Sequence, residues 1–246
     1  MNRLAFAILV PSLLWFGTTH AVQAEALHRV SSPIIGSLQD TPVRVLIIGS
    51  SVADGWKDSV GGGYLKRAFT HFGLTHSMAF AWINRAVPGQ GAMRLNAMVP
   101  SFIDQAKPQI VVIAWGGLDD AYDHTPLDAF REDIRQEISL SLAAHATVFV
   151  ITPPVSRASY TQFAVQQPMY LDAEMQVARN FQNPNIFVFD VFDQMKRYLD
   201  KHHETYVPFM ADGWHPNTRG HALASRLLLH NFKQKFPALL ALRWMT

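Results

Sequence analysis

The feature that most constrains this chain is a regular alternation of short, nearly continuous apolar runs with longer stretches of helical periodicity. Val43 to Ile48, Met78 to Ile83, Ile110 to Trp115, Thr147 to Ile151 and Ile186 to Phe189 are the five apolar runs. Gly49, Asn84, Gly116-Gly117 and Pro153-Pro154 close the first four. A strand with one wet face alternates apolar and polar residues, so runs that are apolar throughout predict strands covered on both faces. Between them, Leu127, Phe130, Ile134, Ile138 and Leu142 recur at spacings of three and four, one face of a helix. Thr125-Pro126-Leu127-Asp128 reads as its start, a capping box with proline at the first helical position. A last helix is expected to open at Asn217 or Thr218 and to bury Leu223, Leu227 and Leu228. Strands alternating with helices imply a single α/β domain with a parallel sheet. The 246 residues, 49% of them hydrophobic, suffice for one core and show no internal repeat.

Residues 1–24 are read apart from that domain. Arg3 precedes an apolar run from Leu4 to Phe16, and Val22-Gln23-Ala24 offers the small side chains of a cleavage site. A spanning helix needs roughly twenty apolar residues, so this is a signal peptide and not a stable membrane anchor. Residues 25–42 form an extended lead-in, and 43–246 the domain. The protein is expected to be exported, periplasmic or secreted after cleavage. It has no cysteine, which excludes disulfides, a thiolate-zinc site and a cysteine nucleophile. With 21 Lys+Arg against 19 Asp+Glu it lacks the basic excess of a nucleic-acid binder.

In parallel sheets functional groups gather beyond the carboxyl ends of the strands. The first strand runs into Gly49-Ser50-Ser51, and the chain later carries Asp212-Gly213-Trp214-His215-Pro216 just before the last helix. Taken singly, the serines could merely cap a helix and His215 could be a surface residue. Taken together, a serine at a strand end and a carboxylate three residues from an imidazole supply nucleophile, base and orienting acid.

In that order and spacing the chain resembles the SGNH hydrolases, also called GDSL esterases and lipases. The resemblance implies a three-layer α/β/α sandwich with a five-stranded parallel sheet of flavodoxin-like type. It also implies a Ser51-His215-Asp212 triad acting through an acyl-enzyme, and no metal or cofactor. The family's Asn-x-Gly-x-x-Gly block corresponds to Asn84-Arg85-Ala86-Val87-Pro88-Gly89, so the backbone N–H of Gly89 joins that of Ser51 as oxyanion donors. Its Gly-x-Asn-Asp block corresponds to Gly116-Gly117-Leu118-Asp119, which puts Leu118 where the oxyanion asparagine belongs. Shifting the register to put Asp119 at the asparagine position offers no remedy, because an ionised carboxylate would repel the developing oxyanion. Gln90 is a candidate substitute donor. The implied substrate is a small-molecule or polysaccharide ester. The alternative is a weakly active or non-catalytic carbohydrate-binding protein on the same fold.

Other readings fit less well. A Gly-x-Ser-x-Gly elbow would follow a later strand, and the glycines lack nucleotide-loop spacing. The eleven histidines match no metal-ligand pattern and are read as neutral surface residues. Trp56 and Trp214 adjoin the motifs and are candidate substrate-binding residues, whereas Trp115 reads as core.

Overall fold

The computed structural model of the protein describes residues 41–237. The expected signal peptide and nearly all of the lead-in lie outside the described residues. Five strands, β1 (Val43–Gly49), β2 (Phe80–Asn84), β3 (Ile110–Ala114), β4 (Thr147–Ile151) and β5 (Ile186–Phe189), form one parallel sheet in the order β2-β1-β3-β4-β5. Short helices α1 (Ser51–Asp54), α3 (Ala92–Leu95) and α5 (Leu118–Tyr122) follow β1, β2 and β3. The longer ones are α2 (Gly63–His76), α4 (Val99–Ala106), α6 (Leu127–Ala143), α7 (Gln166–Asn180), α8 (Val191–Lys201) and α9 (Thr218–Lys235).

The continuous apolar runs are explained by the layers. Val43, Val45 and Ile47 of β1, Ile110 and Val112 of β3 and Phe149 of β4 pack with Phe69 and Phe72 of α2 and Leu228 and Phe232 of α9. Their neighbours Leu46, Ile48, Val111, Ile113, Val148 and Val150 point to the other side. There they meet Val99 and Phe102 of α4, Phe130, Ile134 and Ile138 of α6, and Tyr170 and Val177 of α7. Because side chains alternate along a strand, a strand sandwiched between helices must be apolar at every position. This is the three-layer α/β/α sandwich expected from the sequence.

Local differences have physical causes. The second run starts its strand at Phe80, not Met78, because the Met78 N–H is taken by Gly73 O in closing α2. The capping box at Thr125 does not form: Pro126, with ψ of 130°, is the residue before the helix, and no side chain caps it. Thr125 is buried instead, with its carbonyl accepting from the Tyr170 hydroxyl and its own hydroxyl facing Asp120. Leu223 and Leu228 are buried as expected, but Leu227 only half so.

The topology also fixes where a site can form. From β1 the chain passes over one face to the edge strand β2, then returns on the other face to β3. Between β1 and β3 the strand order reverses, and a crevice opens there beyond the carboxyl ends. Gly49 pairs with Ala114 across it. A side chain at Gly49 would lie 2.4 Å from Ala114 O and 2.7 Å from the Ala53 side chain, so only glycine lets the chain turn into α1 here.

Candidate active site

Ser51 is the first residue of α1, directly beyond β1, and is buried. Ser50 precedes it in extended backbone and makes no cap hydrogen bond, so the simple capping role does not hold. His215 Nε2 lies 3.0 Å from Ser51 Oγ. On its other side His215 Nδ1 lies 2.9 and 3.0 Å from the two oxygens of Asp212. With the proton on Nδ1 donated to Asp212, Nε2 is left free to accept from the Ser51 hydroxyl.

The loop that brings His215 here is braced from within. Ala211 N–H donates to His215 O, and Met210 and Pro216 form an antiparallel bridge. Asn217 caps α9 by accepting from Arg219 and Gly220 N–H, while its amide donates to Pro208 O and Met210 O. Asp212 Oδ1 also accepts from the backbone N–H of Trp214 at 2.9 Å and of His215 at 2.8 Å. Partial burial works against the charged form of Asp212, but these backbone donors and the imidazole outweigh it and hold the carboxyl below its ordinary range. Asp212 is therefore a fixed anion at the far side of the imidazole.

Beside Ser51 is a cavity of about 10 Å³, lined by Ser50, Gly116, Leu118, Asp119, Pro153, Gln167 and Trp214 among others. It has room for about one water-sized group. Gln167, almost fully buried, donates from Nε2 to Gly116 O and fixes that rim. Trp214 stands edge-on to Tyr122 at 5.7 Å and to Phe163 at 5.5 Å, an aromatic cluster at the cavity's border. Tyr122 is 66% exposed. Of the other expected residues, Leu118 lines the cavity, whereas Gly89, Gln90 and Trp56 do not. A larger cleft of about 540 Å³, with Arg44, Lys107, Gln109 and His145 on its walls, contains no serine or threonine, so size alone does not mark this site.

Several residues here escaped the sequence reading. Asp119, weighed in the sequence only as a register alternative, lines the cavity beside Ser51. Asp120, its neighbour, turns away to accept from Ala92 N–H. A side chain on Gly91 would lie 2.5 Å from Asp120 Oδ1, which is why the loop carries glycine there. Below the site, Glu174 accepts from the Trp115 backbone N–H and Glu137 from the Trp115 indole, confirming Trp115 as core. Burial pushes Glu137 up to about 8 and Asp120 up to about 7, and holds Glu174 well above the ordinary carboxylate range. A charge inside the apolar stripe of α6 was the signal for Glu137.

His221 corrects the surface reading of the histidines. It is fully buried, accepts from Tyr64 N–H through Nδ1 at 3.2 Å, and donates from Nε2 to Trp56 O at 3.0 Å. One ring thus ties α9 to the segment after Ser51. Burial lowers its pKa and keeps it neutral. Among the described residues no group of three or more His, Cys, Asp or Glu side chains could hold a metal ion, and no helix is long and apolar enough to cross a membrane.

Comparison with known proteins bears on this geometry. No curated protein matches the chain. Among solved structures, the acetyl xylan esterase Axe2 of Geobacillus stearothermophilus superposes with a TM-score of 0.63 at 18% identity, covering 76% of this chain and 93% of its own. An alpha/beta hydrolase enzyme from the metagenome of Lake Arreo, Spain, gives a TM-score of 0.64 at 17% identity, covering 77% and 95%. At such identities the likeness is one of fold. A family model adds the sequence-level match, extending over residues 47–223 and so spanning both Ser51 and His215. The chain belongs to the GDSL-like Lipase/Acylhydrolase family.

Proposed function

We propose that this ester-bond hydrolase is an exported serine esterase that removes short acyl groups, acetyl above all, from carbohydrate hydroxyls. The observation that carries the reading is the unbroken chain from Ser51 Oγ through His215 to Asp212, at 3.0 and 2.9 Å, beside a cavity with room for about one small group. Ser51 Oγ attacks the ester carbonyl while its proton passes to His215 Nε2, and the carbonyl electron pair becomes the oxyanion. Collapse of the tetrahedral intermediate breaks the bond to the alcohol oxygen, which leaves with the proton from His215. Water, deprotonated by His215, then frees the acyl group from Ser51. Asp212 balances the imidazolium in both halves. The backbone N–H groups of Ser51 and Gly89 receive the oxyanion.

The small cavity supports a short acyl group, because longer chains would displace Leu118 or Pro153. The Trp214, Tyr122 and Phe163 cluster supports a sugar as the alcohol, since aromatic edges and faces pack against sugar rings. The fold shared with an acetyl xylan esterase supports the same class. The N-terminal charged and apolar pattern supports export.

The test is hydrolysis of 4-nitrophenyl acetate, butyrate and acetylated xylooligosaccharides by the wild type and Ser51→Ala. Acetate should exceed butyrate in kcat/KM by at least about tenfold, the discrimination expected for added methylenes at a closed pocket. Activity undiminished in Ser51→Ala would overturn the reading. Glycan binding without turnover in a folded wild type would replace it with a binding protein.

A further inference from the structure

We propose that His221 is a positioning residue for the esterase site: its ring joins the segment that carries Ser51 to the helix whose entry loop carries His215, and so sets the distance between nucleophile and base. This role rests on the serine-esterase reading above and adds to it a residue buried away from the substrate.

The path between the two groups is a run of hydrogen bonds. Ser51 O, at the start of α1, accepts from Trp56 N–H at 3.0 Å. Trp56 O accepts in turn from His221 Nε2 at 3.0 Å. His221 N–H donates to Asn217 O at 2.9 Å in the first turn of α9. Asn217 then anchors the loop of His215: its N–H donates to Phe209 O at 2.8 Å, and its side-chain amide donates to Pro208 O and Met210 O, each at 3.1 Å. Ser51 and His215 lie 164 residues apart in the chain, and the His221 ring is where their two supports meet.

The ring also clamps the loop that follows Ser51. Its Nδ1 accepts from Tyr64 N–H at 3.2 Å, so both ends of the loop from Trp56 to Tyr64 bond to one imidazole. That loop is stiff in its own right. Asp58 accepts from the N–H groups of Val60, Gly61 and Gly63, and from two N–H groups of Arg67 at 2.6 and 2.9 Å. A side chain on Gly63 would lie 2.5 Å from Gly55 Cα, so the two ends of the loop meet backbone to backbone. A loop so closed passes a displacement at His221 on to Ser51 and does not absorb it.

The tautomer follows from the partners. A backbone N–H can only donate, so Nδ1 is the acceptor and the ring hydrogen sits on Nε2, aimed at Trp56 O. The ring is fully buried, and burial lowers its pKa and keeps that acceptor open. A side chain that only filled space would need neither group.

His221→Ala would remove the ring and both bonds together, so the test uses two variants that each give up one buried hydrogen bond. Asparagine carries Oδ1 as many bonds from Cβ as histidine carries Nδ1, and so keeps an acceptor for Tyr64 N–H without reaching Trp56 O. Glutamine carries Nε2 as many bonds from Cβ as histidine does, and so keeps the donor to Trp56 O. The experiment measures kcat and KM for 4-nitrophenyl acetate in wild type, His221→Asn and His221→Gln, with Ser51→Ala as blank and urea unfolding as the measure of stability. The two variants should lose similar stability. His221→Asn should lose about ten- to a hundredfold in kcat with KM little changed, the cost of moving a reacting group by about an ångström. His221→Gln should recover most of that loss. Equal kcat in the two variants, or a kcat that simply follows the urea midpoint, overturns the proposal while leaving the serine esterase intact. A wild type no faster than Ser51→Ala overturns the esterase reading, and the proposal with it.

Discussion

Asp212, beside the nucleophile, and Asp120, in α5, are treated in opposite ways by their surroundings. Around Asp212 three donors converge on one carboxylate, which is 40% exposed at its side chain and stays ionised. Asp120, Glu137 and Glu174 are buried with few donors, and Asp120 Oδ1, Glu137 Oε1 and Glu174 Oε2 have no hydrogen-bond partner among the described residues. The lesson is that the residue type does not set the charge: donor count and solvent do, and one fold can thereby hold a fixed anion at Asp212 and carboxyl groups pushed up to about 7 and about 8 at Asp120 and Glu137.

The comparison can be broken most forcefully at the triad. Ser51→Ala should lower kcat on 4-nitrophenyl acetate by about 10⁵- to 10⁶-fold, as nucleophile removal does elsewhere. Asp212→Asn, which keeps shape but removes the anion and favours the wrong imidazole tautomer, should cost about 10⁴-fold in kcat. If Asp212→Asn is nearly silent, the anionic side of the contrast is wrong. A stability measurement probes the frame around the site. His221→Ala removes a buried ring with two hydrogen bonds, and urea unfolding should show a loss of about 2–4 kcal/mol.

The acid side is sharpened by pH. Glu137 has its folded pKa raised from 4.5 to about 8, so the folded state holds a proton that the unfolded chain has released. Its contribution to stability is complete below pH 4.5 and is lost as pH rises to about 8. Within that window one such group changes stability by about 1.4 kcal/mol per pH unit. The urea midpoint of wild type should therefore fall between pH 5 and 8, and that of Glu137→Gln should fall less. The smallest effect is expected at the rim. Trp214→Ala should raise KM for acetylated xylooligosaccharides about tenfold, in keeping with the loss of one aromatic contact.

How much of this was legible in the sequence depended on where each residue's partners come from. The five strands could be read because double-sided burial leaves a local signature, an unbroken apolar run. The triad could be read because Asp212 and His215 lie three residues apart and Ser51 marks a strand end. Which of Asp119 and Asp120 lines the cavity could not be read, because it depends on loops distant in sequence. His221 and Glu174 were hidden for the same reason, since both bond backbone groups distant in sequence. Thr125 misled because a local capping pattern competed with Tyr170, from a helix about forty residues away, and lost.

The most direct test of the central claim is to mix the protein with 4-nitrophenyl acetate, quench in acid during the first turnover, and map the acylated peptide by mass spectrometry. The account predicts one acetyl group on Ser51, formed with the first release of nitrophenol and absent from Ser51→Ala. Nitrophenol released with no acetyl on Ser51, and at the same rate from Ser51→Ala, would contradict it.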